Sequence, residues 1–455
     1  MKHSVCKSTS KSLTALAVIT ALFPMSVMSQ TLEQAVAETI DSNPTIQQVF
    51  NQFKAREEQV NQAESGYLPS VDMTAGYGLH DNSTPISGSQ DIEYDRSEVG
   101  VSLRQSLFNG FFTTNDVNRL GYETSAQQWK LFSAAENMAL QVAKVYLNYM
   151  EAEQVVALSE KNLEQHQHLY EQIKEKTESG LGSTADLSQS KGRLARAHSN
   201  LIAAKNNLAD ARSDYIKVVN QSPNEMIEPI ADADLIPKSL DEAIAQAKAH
   251  NPTLKSALND IKAAEFERKS AQANYYPDIT FEMGGQWSNE SYDHSNPNDG
   301  HTRQLEAGIK MHYNLFNGGK DTAREREAAY KIGQAKSIQQ NSYREAVDGT
   351  TLAWNAYQYV GEQKQFIREH VIAAKETQSD YTQQFKLGQR SLLDLLDSEN
   401  ELFEARKDYL RAEYDELIAQ YRLLNATGQL LGSLRVTTPD VWYGEENYKG
   451  GVEKK

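Results

Sequence analysis

Ser70-Val71-Asp72-Met73-Thr74-Ala75-Gly76-Tyr77-Gly78-Leu79 alternates without a break. Val71, Met73, Ala75, Tyr77 and Leu79 share one face, and Asp72, Thr74 and Gly76 lie on the other. Such a period of two predicts a β-strand with one apolar and one polar side. Three further stretches read the same way. Val99, Val101 and Leu103 alternate with Gly100, Ser102 and Arg104. Ile279, Phe281, Met283 and Trp287 alternate with Thr280, Glu282, Gly284 and Gln286. Leu305, Ala307, Ile309, Met311 and Tyr313 alternate with Glu306, Gly308, Lys310, His312 and Asn314. About ten residues is the length of a tilted strand that crosses an outer membrane. A soluble sheet with one wet face has the same period. Long polar loops expected at 80–96 and 288–302, together with an export leader, favour lipid.

Four strands cannot close a barrel, because about eight are needed before side chains fill the interior. An open sheet in lipid leaves two edges of unpaired backbone groups, at several kcal/mol per group. The chain is therefore expected to share a barrel with copies of itself, and three copies would supply twelve strands.

The strands come in two pairs because the chain is one unit written twice. Leu32 and Leu240 are 208 apart, as are Asn43-Pro44-Thr45 and Asn251-Pro252-Thr253. The same offset relates Tyr67 and Pro69 to Tyr275 and Pro277, and Phe108-Asn109-Gly110 to Phe316-Asn317-Gly318. It also relates Gly180, Asp186, Leu187 and Ser190 to Gly388, Asp394, Leu395 and Ser398. The expected layout is a signal peptide at 1–29, repeat one at 30–228, a linker at 229–238, repeat two at 239–434 and a tail at 435–455. Strand pairs fall at about 70–107 and 278–315, and helical tips near 180–183 and 387–391.

Each repeat begins with a helix signalled by a capping box, Thr31-Leu32-Glu33-Gln34 and Ser239-Leu240-Asp241-Glu242. These helices are expected to run over 31–66 and 239–275, until Pro69 and Pro277 enforce extended chain at the barrel–helix junctions. Beyond Gly110 and Gly318, the spans to about Glu178 and Phe385 hold no proline. Each predicts a helix of about 68 residues, about 100 Å long. Trp129, Phe132, Ala139, Val142, Tyr146 and Tyr149 form one seam. Leu396, Phe403, Leu410, Leu417 and Leu424 repeat every seven residues, with Tyr414 and Tyr421 between them. The returning helices, about 184–219 and 390–433, are shorter. Stacking them on the leading helices would give a wall of equal rods, half continuous and half spliced.

The 455-residue chain carries a net charge of −16 and a mean hydropathy of −0.63, too polar for a bundle of membrane helices. Lys2, Lys7 and Lys11 precede an apolar run from Leu13 to Met28, which reads as a secretory leader cut near Ser29–Gln30. A membrane anchor is disfavoured by the run's shortness and by Pro24. Cleavage would take the charge from −16 to −19 and remove Cys6, the only cysteine, leaving no disulfide and no thiolate metal site. So acidic a chain argues against nucleic acid as a partner. His166 and His168 stand two apart and are expected on different helix sides. Asp293, Ser295 and Asp299 imitate a calcium loop, but Pro297 and Gln304 occupy ligand positions. No motif of a hydrolase, phosphate loop or zinc enzyme is present, so neither catalysis nor a cofactor is expected.

Taken together, the leader, the duplication, the two-strand insertions and the paired hairpins resemble the TolC family of outer-membrane export channels, over about 30–434. Gly66-Tyr67-Leu68-Pro69-Ser70-Val71 and the absence of a lipid-attachment cysteine look closest to the type I secretion and agglutination-protein branch. The resemblance implies a mainly α homotrimer: a twelve-stranded β-barrel in the outer-membrane lipid of a Gram-negative cell, four strands per chain, continued by a long periplasmic α-helical barrel. It implies passive passage from an inner-membrane ABC transporter, or alternatively a proton-driven pump, through a periplasmic adaptor.

A gate is expected at the tips. Asp394 and Asp397, at i and i+3, share a helix face, and in a trimer each becomes a ring of three carboxylates of the kind that selects cations. A solvated helix start explains the same residues, since acids favour the first turn. By resemblance these acids line the closed periplasmic mouth, Arg390 latches the tips, and Asp186 is its partner. Phe385 and Ala185 stand where other members carry hydroxyls, so part of the polar latch is expected to be missing. Gly180, Leu181, Gly182, Ser183, Leu387, Gly388 and Ser391 turn the chain and, by resemblance, dock the adaptor. The competing reading is a periplasmic coiled coil without a pore.

Overall fold

The computed structural model describes residues 29–82, 92–292, 300–445 and 447–453. The leader up to Met28 and the calcium-like loop residues Asp293, Ser295, Pro297 and Asp299 lie outside these. Repeat one is built from α1 (Leu32–Ser42), α2 (Pro44–Glu64), β1 (Ser70–Asn82), β2 (Ile92–Asn109), α3 (Phe112–Glu178) and α4 (Thr184–Val219). Repeat two follows with α5 (Leu240–His250), α6 (Pro252–Ala271), β3 (Asp278–Tyr292), β4 (Gly300–His312), α7 (Lys320–Lys386), α8 (Leu392–Ala426) and α9 (Leu430–Ser433). The fold is mainly helical, with one four-stranded sheet, and α3 and α7 are each 67 residues long. No helix among the described residues is long and apolar enough to cross a membrane.

The sheet is antiparallel in the order β1-β2-β3-β4, so β1 and β4 are its edges. Val71 pairs with Leu103, Leu103 with Met283, and Met283 with Ala307. Opposed residues point to one side of a sheet, so this register gathers all four apolar rows on a single face. That face is bare: Met73 is 72% exposed, Tyr77 71% and Ile309 68%. The strands are 13 to 18 residues long, more than the expected ten. They continue through polar residues such as His80-Asp81 and Glu93-Tyr94, which the sequence had assigned to loops.

The leading helices are not single rods. Each breaks at Asn-Pro, where Asn43 and Asn251 leave the helical region with ψ 127° and 119°. A residue before proline is driven out of the α conformation, and proline suits the first helical position. Each Asn then does two jobs. Its side-chain oxygen caps the new helix by accepting the Thr45 or Thr253 N–H, at 2.9 Å in both cases. Its side-chain nitrogen donates to the last carbonyls of the returning helix, Val218 at 3.2 Å and Ala426 at 3.3 Å. The splices therefore join α4 to α2 and α8 to α6, while α1 and α5 pack beside α3 and α7. Only 21 and 20 residues of the leading segments enter the rods, not the 36 and 37 of the whole spans. The second returning helix likewise stops at Ala426, because Gly428 turns it at φ +73°. The Thr31 capping box is complete. Its copy is half formed: Ser239 accepts the Glu242 N–H, but the Glu242 carboxylate accepts from Lys238 instead.

The main core surrounds these splices. Leu32, Val142, Tyr146, Tyr215, Tyr421 and Leu424 are all at most 1% exposed. The Tyr146 hydroxyl lies 2.7 Å from the carbonyls of both Gln30 and Ile227, fastening the inter-repeat segment to α3. The C-terminal residues are part of the same core. Trp442 is buried against Phe132, its carbonyl accepts from Gln128, and the Gly450 carbonyl accepts from Trp129 and Asn259. Glu136 accepts the Leu430 and Leu431 N–H groups at the start of α9, and burial pushes its carboxyl up to about 8.

Two outcomes follow from this packing. The folded pKa of Glu136 lies above its unfolded value, so its contribution is full below about pH 4.5 and lost as pH rises through about 8. Glu136→Gln is expected to flatten the fall of the melting temperature between those limits; a wild-type slope kept by the variant would refute the assignment. A Cβ on Gly428 would lie 2.9 Å from the His250 oxygen, at a positive φ as well. Gly428→Ala is therefore expected to cost about 1–3 kcal/mol. The equivalent Asn220, already at φ +62°, should lose only about 1 kcal/mol on change to Ala by the same denaturation assay.

Candidate functional site

The two hairpin tips lie at the end of the helices away from the sheet. At the first, α3 ends at Glu178 and Gly180 takes φ +79°. Gly182 is required by space, since a Cβ there would sit 2.7 Å from the Thr177 hydroxyl. The Ser183 hydroxyl accepts the Ala185 N–H and starts α4. At the second tip Gly388 takes φ +72°, and the Ser391 hydroxyl accepts the Asp394 N–H while donating to the Asp394 carboxylate at 2.9 Å. Leu181 and Leu387 stand on these turns 85% and 73% exposed, apolar side chains held out in water.

Arg390 is held by its own hairpin. Its Nε donates to Gln384 at 2.9 Å, its guanidinium lies 4.3 Å from the Tyr381 ring centroid, and it approaches Asp394 at 3.8 Å. The expected pairing with Asp186 is not made within the protomer, where the half-buried Asp186 forms no ion pair among the described residues. Gln384 and Tyr381 sit six and nine residues back along α7, so the end of the same helix offers nearer partners.

Asp394 and Asp397 share α8 but not an environment. Asp394 belongs to the Ser391 cap, whereas Asp397 is ion-paired with Arg193 of α4. Arg193 thus ties the returning helix of one repeat to that of the other. Beneath this link Ile173, Leu392 and Leu396 form a small buried cluster, with Phe385 packed against it. The Phe385 ring also carries the Lys176 ammonium, 5.1 Å from its centroid. Apolar and cation–π contacts therefore occupy the place where a hydroxyl latch was expected to be incomplete.

A crevice of about 750 Å³ opens beside this cluster, between α3 and the α7–α8 hairpin. His166 and His168 both border it, His166 buried and His168 bonded to Gln172. Burial, with Arg193 nearby, lowers the His166 pKa. Burial raises that of Glu399, which accepts from Gln378 at 2.6 Å.

At the opposite end of the helices, Gly110 is the tightest junction residue. It takes φ +65°, and a Cβ would collide with the Ala273 carbonyl. Pro69 and Pro277 each stand one residue before a strand, and Gly318 repeats the Gly110 turn at φ +72°.

A sequence profile of the family described as outer membrane efflux protein matches residues 35–219 and 243–429, one match for each repeat. The outer membrane efflux protein BepC of Brucella suis is 26% identical over 460 residues, covering 100% of this chain and 98% of BepC. The outer membrane protein TolC of Vibrio cholerae is 22% identical, covering 92% of this chain and 96% of its own. Among solved structures, the Campylobacter jejuni CmeC outer membrane channel superposes with a TM-score of 0.75 at 15% identity, covering 88% of this chain and 86% of CmeC. The mainly helical chain with its four-stranded sheet shares the fold of that channel structure. The chain belongs to the outer membrane efflux protein family, the TolC-type channels of the Gram-negative outer membrane.

Proposed function

We propose that this protein is the outer-membrane duct of a tripartite export system, working as a homotrimer gated at the helical tips. The observation that carries the reading is the sheet: one bare apolar face and two unpaired edges, mounted on helices about 100 Å long. Leaving a large apolar side chain in water forfeits about 1.5–3 kcal/mol. The face therefore calls for lipid, and the edges call for neighbouring strands. The exposed Leu181 and Leu387 and the glycine turns around them suit the tips to a periplasmic adaptor.

For cargo we infer a polypeptide delivered by an inner-membrane ABC transporter. The supports are Gly66-Tyr67-Leu68-Pro69-Ser70-Val71 and the lack of a cysteine where a lipid would be attached. A second reading, efflux of small toxic molecules driven by a proton-coupled pump, is favoured by the names of the family and of BepC. Deleting the gene separates them. Loss of one large secreted protein with unchanged drug tolerance supports the first, and the reverse supports the second. A mature chain that stays monomeric and soluble without detergent would overturn the channel itself.

The gate gives two further outcomes in planar bilayers. Arg390 contributes a cation–π contact of about 0.5–1 kcal/mol at an exposed site. If it also latches the tips, as the family resemblance implies, Arg390→Ala is expected to raise single-channel conductance. An unchanged closed-state conductance would remove Arg390 from the latch. Asp394→Ala combined with Asp397→Ala is expected to abolish block by multivalent cations added from the tip side. Block that persists would place the acidic constriction elsewhere.

A further inference from the structure

We propose that His166 is a proton sensor for the tip gate: mild acid on the tip side, by charging its ring, loosens α8 from the first repeat and opens the duct. The inference rests on the tip-gated channel proposed above and names what regulates it.

His166 is the only histidine buried among the described residues, at 7% exposure. Its ring makes no hydrogen bond and no ion pair among the described residues. A buried polar ring without a partner costs free energy, and packing does not require one here. The copy of His166, 208 residues on, is Ala374, buried in an apolar cluster with Leu402 and Ala405. An alanine does the structural work of that position, so titration is what the imidazole adds.

His166 stands between the two parts that must separate. From α3 it borders the crevice whose other wall is the α7–α8 hairpin. Beside the crevice, that hairpin is tied back by the Arg193–Asp397 ion pair and by Leu392 and Leu396 packed on Ile173. The titratable and charged groups around the crevice are His168, Glu175 and Lys176 on α3, Arg193 on α4, Lys386 on α7, and Asp397 and Glu399 on α8. A proton on the buried ring puts a second cation near Arg193, the residue that holds Asp397. Burial, reinforced by Arg193, keeps the imidazole below its ordinary range. An arrangement in which the hairpin swings out and wets the ring binds the proton more tightly, so acid selects it. With the folded value lowered, the closed contact is complete above about pH 6.5 and is lost as the pH falls through that lowered value. Glu399 acts the other way. Burial raises its carboxyl, so acid favours its buried, neutral form.

The sensor can be read in planar bilayers. Lowering the pH on the tip side from about 7.5 to about 5.5 is expected to raise the open fraction of the wild type, by at most about tenfold per pH unit for one proton per opening. His166→Gln keeps a polar side chain that takes no proton, and is expected to hold its open fraction constant over that range. Glu399→Gln removes the opposing titration and is expected to steepen the rise. A rise kept in full by His166→Gln, or absent from both the wild type and Glu399→Gln, overturns the sensor. Should His166→Gln fail to assemble, amide hydrogen exchange of the wild-type trimer, corrected for the chemical effect of pH, gives an independent reading. The last turns of α3 and the first turns of α8 are expected to lose protection at about pH 5.5 while the main core keeps it. Unchanged protection at the tips overturns the sensor. A wild type that forms no conducting trimer overturns the channel reading instead.

Discussion

A backbone in lipid has no water to bond to, so every strand needs a neighbour on both sides. This constraint organises the whole molecule. The chain supplies four strands and two bare edges, and every other element works around that shortfall. The helices that leave the sheet inherit their spacing from it. Each strand pair feeds one continuous rod and receives one spliced rod.

Splices are the second device. A hairpin of 67 residues outward and 36 back leaves about half of the outgoing helix without a partner. The Asn-Pro junction closes that gap by starting α2 where α4 ends and α6 where α8 ends. One asparagine side chain serves as both an N-cap for the new helix and a donor to the old one. Two orphan groups at a helix break are thereby satisfied by a single residue, which lets a broken rod behave almost as a continuous one.

Much of this was legible in the amino-acid order. Alternation in four stretches gave the sheet, the 208 offset gave the duplication, and α3 begins and ends within two residues of the predicted span. The failures share a physical cause, which is that a local pattern carries two meanings. Asn43-Pro44-Thr45 marked the repeat but was not read as a helix restart, because proline at a first turn disturbs no apolar period. His80-Asp81 looked like loop because polar residues dominate it, yet the strands continue through it as paired polar ribbon. At the tips, Gly180, Ser183 and Ser391 were findable from turn and capping chemistry. Arg193 was not: it lies 204 residues from Asp397 and on no apolar seam. Within the protomer Arg390 does not meet Asp186: it stands on the turn after α7, where Gln384 and Tyr381, six and nine residues back at the end of that helix, lie within easier reach.

The final residues impose an order on assembly. Trp442, Lys449 and Gly450 complete a layer whose other members, Ser125, Gln128 and Trp129, are made more than three hundred residues earlier. Until those C-terminal residues dock, the first quarter of α3 lacks its last neighbours and that layer stays open. The protein therefore withholds its finished shape until its last residues are available, so a truncated product cannot pass for a complete wall segment.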